Sequence, residues 1–178
     1  MNNLQKISLC GFRINWGTVL VGWEGPGEFG RLVSNREIIE YACDQIDKCQ
    51  KSQYEFILEI ASIDCKDDKE ASDLIEKSLS EIVKVSECDL LFERRKWRII
   101  LLKDLFGRLP EDPLNAILEV GEFWHHNFKS PLMMGEKGNN FDPLENFRKT
   151  KDYAEMINRV KEWLDKEESL LKSTEALH

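Results

Sequence analysis

The stretch ECDLLFERRKWRIILLKDLF, residues 87–106, decides how this sequence folds. Its apolar residues Leu90, Leu91, Trp97, Ile99, Ile100, Leu101, Leu102, Leu105 and Phe106 spread around most of a helix and do not form one stripe. A helix that is apolar on nearly all sides has to be surrounded by other elements. The reading is therefore a central helix near 87–106, closed by Gly107 as a C-terminal cap and stopped by Pro110. The charged run Arg94, Arg95, Lys96 and Arg98 is expected to be its one exposed strip, paired with neighbouring acids.

Helix signals continue on both sides of it. Upstream, Ser34 with Glu37 forms a capping box, and Ile38, Ile39, Ala42, Cys43 and Ile46 follow at helical spacing, which predicts a helix over about 35–51. Ser52 can cap a second helix whose stripe is Phe56, Ile57, Ile60 and Ala61, ended by the polar cluster Asp64 to Asp68. A third carries Ala71, Leu74, Ile75, Leu79 and Ile82 on one face, with acids opposite. Downstream, Asp112-Pro113 reads as an N-cap and a first-turn proline, ahead of Leu114, Ile117, Leu118 and Trp124. Periodicity is lost over 127–149, where Pro131, Gly135, Gly138, Asn139, Asn140 and Pro143 suggest a long loop. Thr150 can cap a last helix with the stripe Tyr153, Met156, Ile157, Val160, Trp163, Leu164 and Leu171.

Near the start, residues 5–14 read as a short helix or as an extended arm. Asn15 can cap a helix Trp16 to Glu24. Thr18 to Val21 is β-prone, but no second convincing strand exists for it to pair with. Gly25-Pro26-Gly27 is a turn. The fold class is all-α: about six helices in an irregular bundle or an α-solenoid-like stack, forming one domain over 1–178.

Composition narrows the function classes. The net charge of −8 opposes nucleic-acid binding, which usually needs a basic footprint. The charge is uneven, since residues 87–110 hold six basic and four acidic residues. Arginines beside Trp97 could grip phosphate and stack a base, but an exposed strip paired with neighbouring acids is the stronger reading, and no nucleic-acid partner is expected. The five cysteines are odd in number and lack CxxC spacing, which reads as reduced core thiols of a cytosolic protein. With no long apolar run, no membrane span and a cytoplasmic location are expected.

The motifs for common chemistry are missing: no glycine-rich phosphate loop and no Gly-x-Ser-x-Gly elbow. Glu122 and His125 have the Glu-x-x-His spacing of di-iron bundles, but a second copy is absent. Glu119, Glu122 and His126 offer three donors for one zinc ion, against the plainer reading of a solvated helix end. No cofactor is expected. Two aromatic–polar clusters remain as candidate partner-binding residues: Trp23, Glu24, Glu28 and Phe29 on the glycine turn, and Trp124 with His125 at a helix end.

The segments INWGTVLVGWE (14–24), RKW (95–97) and LPEDPL (109–114) resemble a small bacterial family of domains of unknown function, number 2247. The likeness spans most of the chain and implies no activity, substrate or catalytic residue. A small acidic bacterial domain is also similar in composition to immunity proteins, which bind and block a toxin. The expected function is a non-catalytic bacterial protein-binding domain, of the immunity type that neutralises a basic toxin partner. The alternative is a small enzyme or metal-binding protein using Glu119, Glu122, His125 and His126. Oligomeric state is not legible in the sequence.

Overall fold

The computed structural model describes residues 2–27, 29–64, 69–128 and 142–177, and of residues 126–128 the backbone alone. Among the described residues there are nine helices and no strand: α1 (Asn3–Leu9), α2 (Trp16–Glu24), α3 (Asn35–Gln45), α4 (Tyr54–Ala61), α5 (Lys69–Val85), α6 (Leu90–Phe106), α7 (Pro113–Phe128), α8 (Pro143–Thr150) and α9 (Tyr153–Ala176). The all-α expectation holds. The chain gathers into two compact units, residues 1–93 and 94–178, with the boundary inside α6.

In the first unit, α2 is the most deeply placed helix. Every residue from Trp16 to Trp23 is buried. A lone β-strand in that position would leave its N–H and C=O groups unpaired, whereas a helix satisfies them internally. That decides between the two readings of Thr18 to Val21. Asn15 starts the helix: its side chain accepts from the Thr18 N–H at 2.9 Å, and the Thr18 hydroxyl accepts from the Asn15 N–H at 3.1 Å. Burying a Val, Leu or Trp side chain stabilises by about 1.5–3 kcal/mol, so this short segment anchors the unit. Beyond the turn at Gly25 the chain returns, and the Gly22 carbonyl accepts from the N–H groups of Leu32 and Val33.

The Ser34–Glu37 capping box opens α3 as expected. The helix ends at Gln45, short of Lys51. Asp44 and Asp47 lie at its negative end with no basic residue in the last turn, which is unfavourable for continuing it. α3, α4 and α5 then pack in succession.

In the second unit, α6 from Lys96 to Ile100 is buried at every position, and so are Leu102 and Leu105. The apolar-all-round reading of this stretch is borne out. The expected exposed strip is not: Lys96 is 0% and Arg98 4% exposed. These cations are inside because α9 supplies carboxylates to meet them, as described below.

The expected loop over 127–149 also needs correction. Residues from Pro143 onward form α8, with the Asp142 carboxylate accepting from the N–H groups of Leu144 and Glu145. This is the Asp-Pro start that also opens α7, where Asp112 accepts from the Asn115 N–H. Most of the remaining expected loop lies outside the described residues. Leu144 seats against Gly121 of α7, where an added Cβ would come within 2.7 Å of the leucine methyls. α9 is capped by Asp152, not Thr150. The Thr150 hydroxyl instead accepts from the Asp152 N–H, and Lys151 between them takes a left-handed conformation (φ 57°).

Of the four described cysteines none is buried: Cys43 is exposed, and Cys10, Cys49 and Cys88 are half-buried. The core expectation for these four is therefore corrected, and Cys65 lies outside the described residues.

Candidate interaction surface

Among the described residues each unit buries a polar cluster. In the first, the Glu93 carboxylate accepts from Asn15 Nδ2 at 2.8 Å and from the Thr18 hydroxyl at 2.5 Å. It ties the N-terminus of α2 to the first turn of α6. Gly17 lies beside it, and a Cβ there would come within 2.8 Å of the Cys88 Cβ. Tyr41 donates its hydroxyl to the Ile14 carbonyl and packs edge-on against Trp16. Burial, with the nearby Cys88 and Glu93, pushes the Tyr41 phenol up to about 12.

In the second unit, Glu167 of α9 receives a two-pronged contact from Arg95, at 2.7 and 3.0 Å, and a third bond from Arg98 at 2.9 Å. Lys96 pairs with Glu175, and Lys103 with Glu168 at 2.6 Å. Pairs 96–175 and 103–168 advance by two helical turns on α6 and retreat by two on α9, so the two helices run antiparallel in register. Burial alone would raise the Glu167 carboxyl, but the hydrogen bond from Arg95 and the charges of Arg98 and Arg95 overcome it and hold the group below its ordinary value. Glu168 is lowered against its own burial by hydrogen bonds from Lys103 and Lys172. Burial in turn lowers Arg98, against the opposing pull of Glu167. Both clusters direct their charge inward and hold helices together.

The residues singled out from sequence are distributed differently. Trp23 is 4% exposed: its Nε1 donates to the Asn35 side chain at 3.1 Å, and the Arg31 guanidinium covers its ring at 4.1 Å. Trp124 is 6% exposed and meets Trp163 edge-on, centroids 5.1 Å apart. Both rings are therefore filled by intramolecular partners. Glu24 and His125 are exposed and Phe29 is half-buried, while Glu28 lies outside the described residues. Glu119 is half-buried and Glu122 exposed. Among the described residues, no three His, Cys, Asp or Glu side chains converge where a metal could be held; the His126 side chain is outside them.

An aromatic–acidic surface does exist, on α4. Tyr54 is 45% and Leu58 41% exposed, one turn apart; beside them Glu55 is exposed and Glu59 half-buried. Ile57 and Ile60 face the core. Glu55, Phe56, Leu58, Glu59, Ser62 and Lys77 line an open depression of about 510 Å³. The Ser78 hydroxyl donates to Glu59 at 2.5 Å and fixes that carboxylate. The sequence carried a signal for this face. Six of the eight residues in Tyr54–Ala61 are apolar, more than one buried stripe can absorb, and Tyr54 and Leu58 fall outside the stripe assigned to this helix.

The profile of a bacterial family, described as "uncharacterized protein conserved in bacteria (DUF2247)", matches residues 4–168. The chain belongs to this family. The DUF2247 match takes in both polar clusters except Glu175 and Lys172, and it includes the whole of α4. No curated protein and no solved structure matches the chain. Among the described residues no helix is long and apolar enough to cross a membrane.

Proposed function

We propose that this DUF2247 protein is a non-catalytic binding module that holds a basic protein partner, in the way an immunity protein holds its toxin. One observation carries the reading. Residues 1–93 contain 18 acidic and 10 basic residues and so hold the entire net charge of −8, while residues 94–178 contain 15 of each. Excess charge of one sign, left on the surface of one unit, speeds encounter with an oppositely charged partner and disfavours wrong ones.

The test is native purification from the source bacterium at low salt, with co-eluting proteins identified by mass spectrometry. The expected result is a stoichiometric basic protein that dissociates as salt is raised, because contacts between exposed charges are screened. Elution alone at every ionic strength, with no toxin-like product encoded next to the gene, overturns the reading.

A further inference from the structure

We infer that the outward face of α4 is the docking site, and that it takes a short cationic amphipathic segment of a protein partner. This rests on the binding-module reading and gives it a location and a ligand chemistry. The face offers two kinds of contact at once. Tyr54 and Leu58 provide an exposed apolar strip one helical turn long, and the half-buried Phe56 lines the depression on the far side of the glutamates. Glu55 and Glu59 run along one side of that strip, Glu59 is held by the buried Ser78 hydroxyl, and the two carboxylates outnumber the one cation, Lys77, that lines the same depression. An apolar side chain of the partner would cover Leu58 and Tyr54 while lysines or arginines along one side of it reach the exposed Glu55 and the rim of Glu59. Aromatic and aliphatic anchors ringed by polar groups are the usual composition of an interface centre.

Charge selects among the possible occupants. A second copy of this chain, docked face to face about a twofold axis, would bring two net-acidic units together. Nucleic acid and anionic lipid surfaces are repelled for the same reason. A cationic polypeptide satisfies both the apolar strip and the carboxylates. The face is only two helical turns long, about 12 Å, which suits two turns of a partner helix.

The experiment uses the full chain and three synthetic probes: an 18-residue Leu/Lys amphipathic peptide, the same pattern with Glu for Lys, and polylysine. Binding is followed by calorimetry and by backbone NMR shifts, with folding of each variant checked by circular dichroism. The Leu/Lys peptide is expected to shift resonances of residues 54–62. L58A and Y54A should each weaken it about tenfold, and the double reversal E55K/E59K should abolish binding. L114A and L118A, which change more exposed leucines of α7, should leave it unaltered.

Four outcomes overturn the inference: shifts confined to other elements, no binding at all, equal binding of the Leu/Glu peptide or of polylysine, or a concentration-dependent dimer that Y54A dissolves. The parent reading fails separately, by the absence of a basic partner in native purification, whatever the peptide does.

Discussion

The two units handle charge in opposite ways. Residues 94–178 are balanced in sign and draw a set of ion pairs inward between two helices, where Arg95, Lys96, Arg98 and Lys103 of α6 are matched by Glu167, Glu168 and Glu175 of α9. Among the described residues of 1–93 one carboxylate residue, Glu93, is buried and accepts from Asn15 and Thr18; with it set aside, 17 acidic residues still outnumber 10 basic ones in this unit. Charge that is matched inside a unit acts as a structural fastening, and charge that is left over is available to something outside. The two kinds can be separated by experiment.

The largest effect is expected at Glu167. Glu167→Ala removes the carboxylate shared by Arg95 and Arg98 and leaves buried guanidinium charge behind. Breaking such a pair from one side typically costs about 3–5 kcal/mol. Calorimetry should show the loss, with hydrogen exchange placing it in α6 and α9. A loss below about 1 kcal/mol would mean that the ladder is worth no more than a surface pair, and the contrast between the units would collapse.

Next is Glu93→Ala, which strips Asn15 Nδ2 and the Thr18 hydroxyl of their shared acceptor. Leaving buried donors in this state costs about 1–3 kcal/mol. Fraying should appear first at the α2 N-terminus by hydrogen exchange, and protection unchanged at Thr18 to Val21 would argue that packing alone holds α2.

The pH limits of the two units should differ in sign. Glu167 and Glu168 are depressed in the fold, so their contribution is present above the ordinary carboxylate range and is lost as pH falls through their folded values. Tyr41 is raised to about 12, so the fold holds it neutral and loses stability as pH climbs from the ordinary value of 10.0 toward that figure. Melting curves from pH 3 to 11, read by hydrogen exchange, should show residues 94–178 failing first in acid and residues 1–93 first in alkali. The reverse order breaks the comparison.

Smaller effects sharpen it. Gly17→Ala forces a Cβ onto the Cys88 Cβ, which cannot rotate away, and overpacking of this kind costs about 1–3 kcal/mol. Gly121→Ala meets the mobile end of Leu144 and gains about 1 kcal/mol of helix propensity, so its net effect should be near zero. Thermal shifts of the two variants measure the difference. Arg36→Ala, which removes an exposed pair with Glu40, should change stability by no more than about 0.5 kcal/mol.

Much of the helical layout was legible because caps and periodicity are local. Asn15, Ser34 and Asp112 each begin a helix where the sequence placed one. α8 was missed although Asp142-Pro143 carries the same start signal as Asp112-Pro113, because the glycines and asparagines ahead of it pull the reading toward a loop. The surface was harder. Trp23 and Trp124 looked like anchors because they sit beside turns and polar residues, yet each finds a partner distant along the chain or on another helix: Asn35 and Trp163. Tyr54 and Leu58 are hidden in the sequence by a stripe of four other apolar residues that already explains α4.

The sequence by itself determined the helices, their caps, and the need to surround the segment 87–106, because those depend on neighbours within a few residues. It also determined that the negative charge is concentrated before residue 94. Only the tertiary structure decided which charges are buried and which apolar side chains are left outside. Lys96 and Arg98 could go inside only because α9 brings Glu175 and Glu167 to them from more than two-thirds of a hundred residues away along the chain. That pairing depends on the register of two antiparallel helices, and no local pattern encodes it.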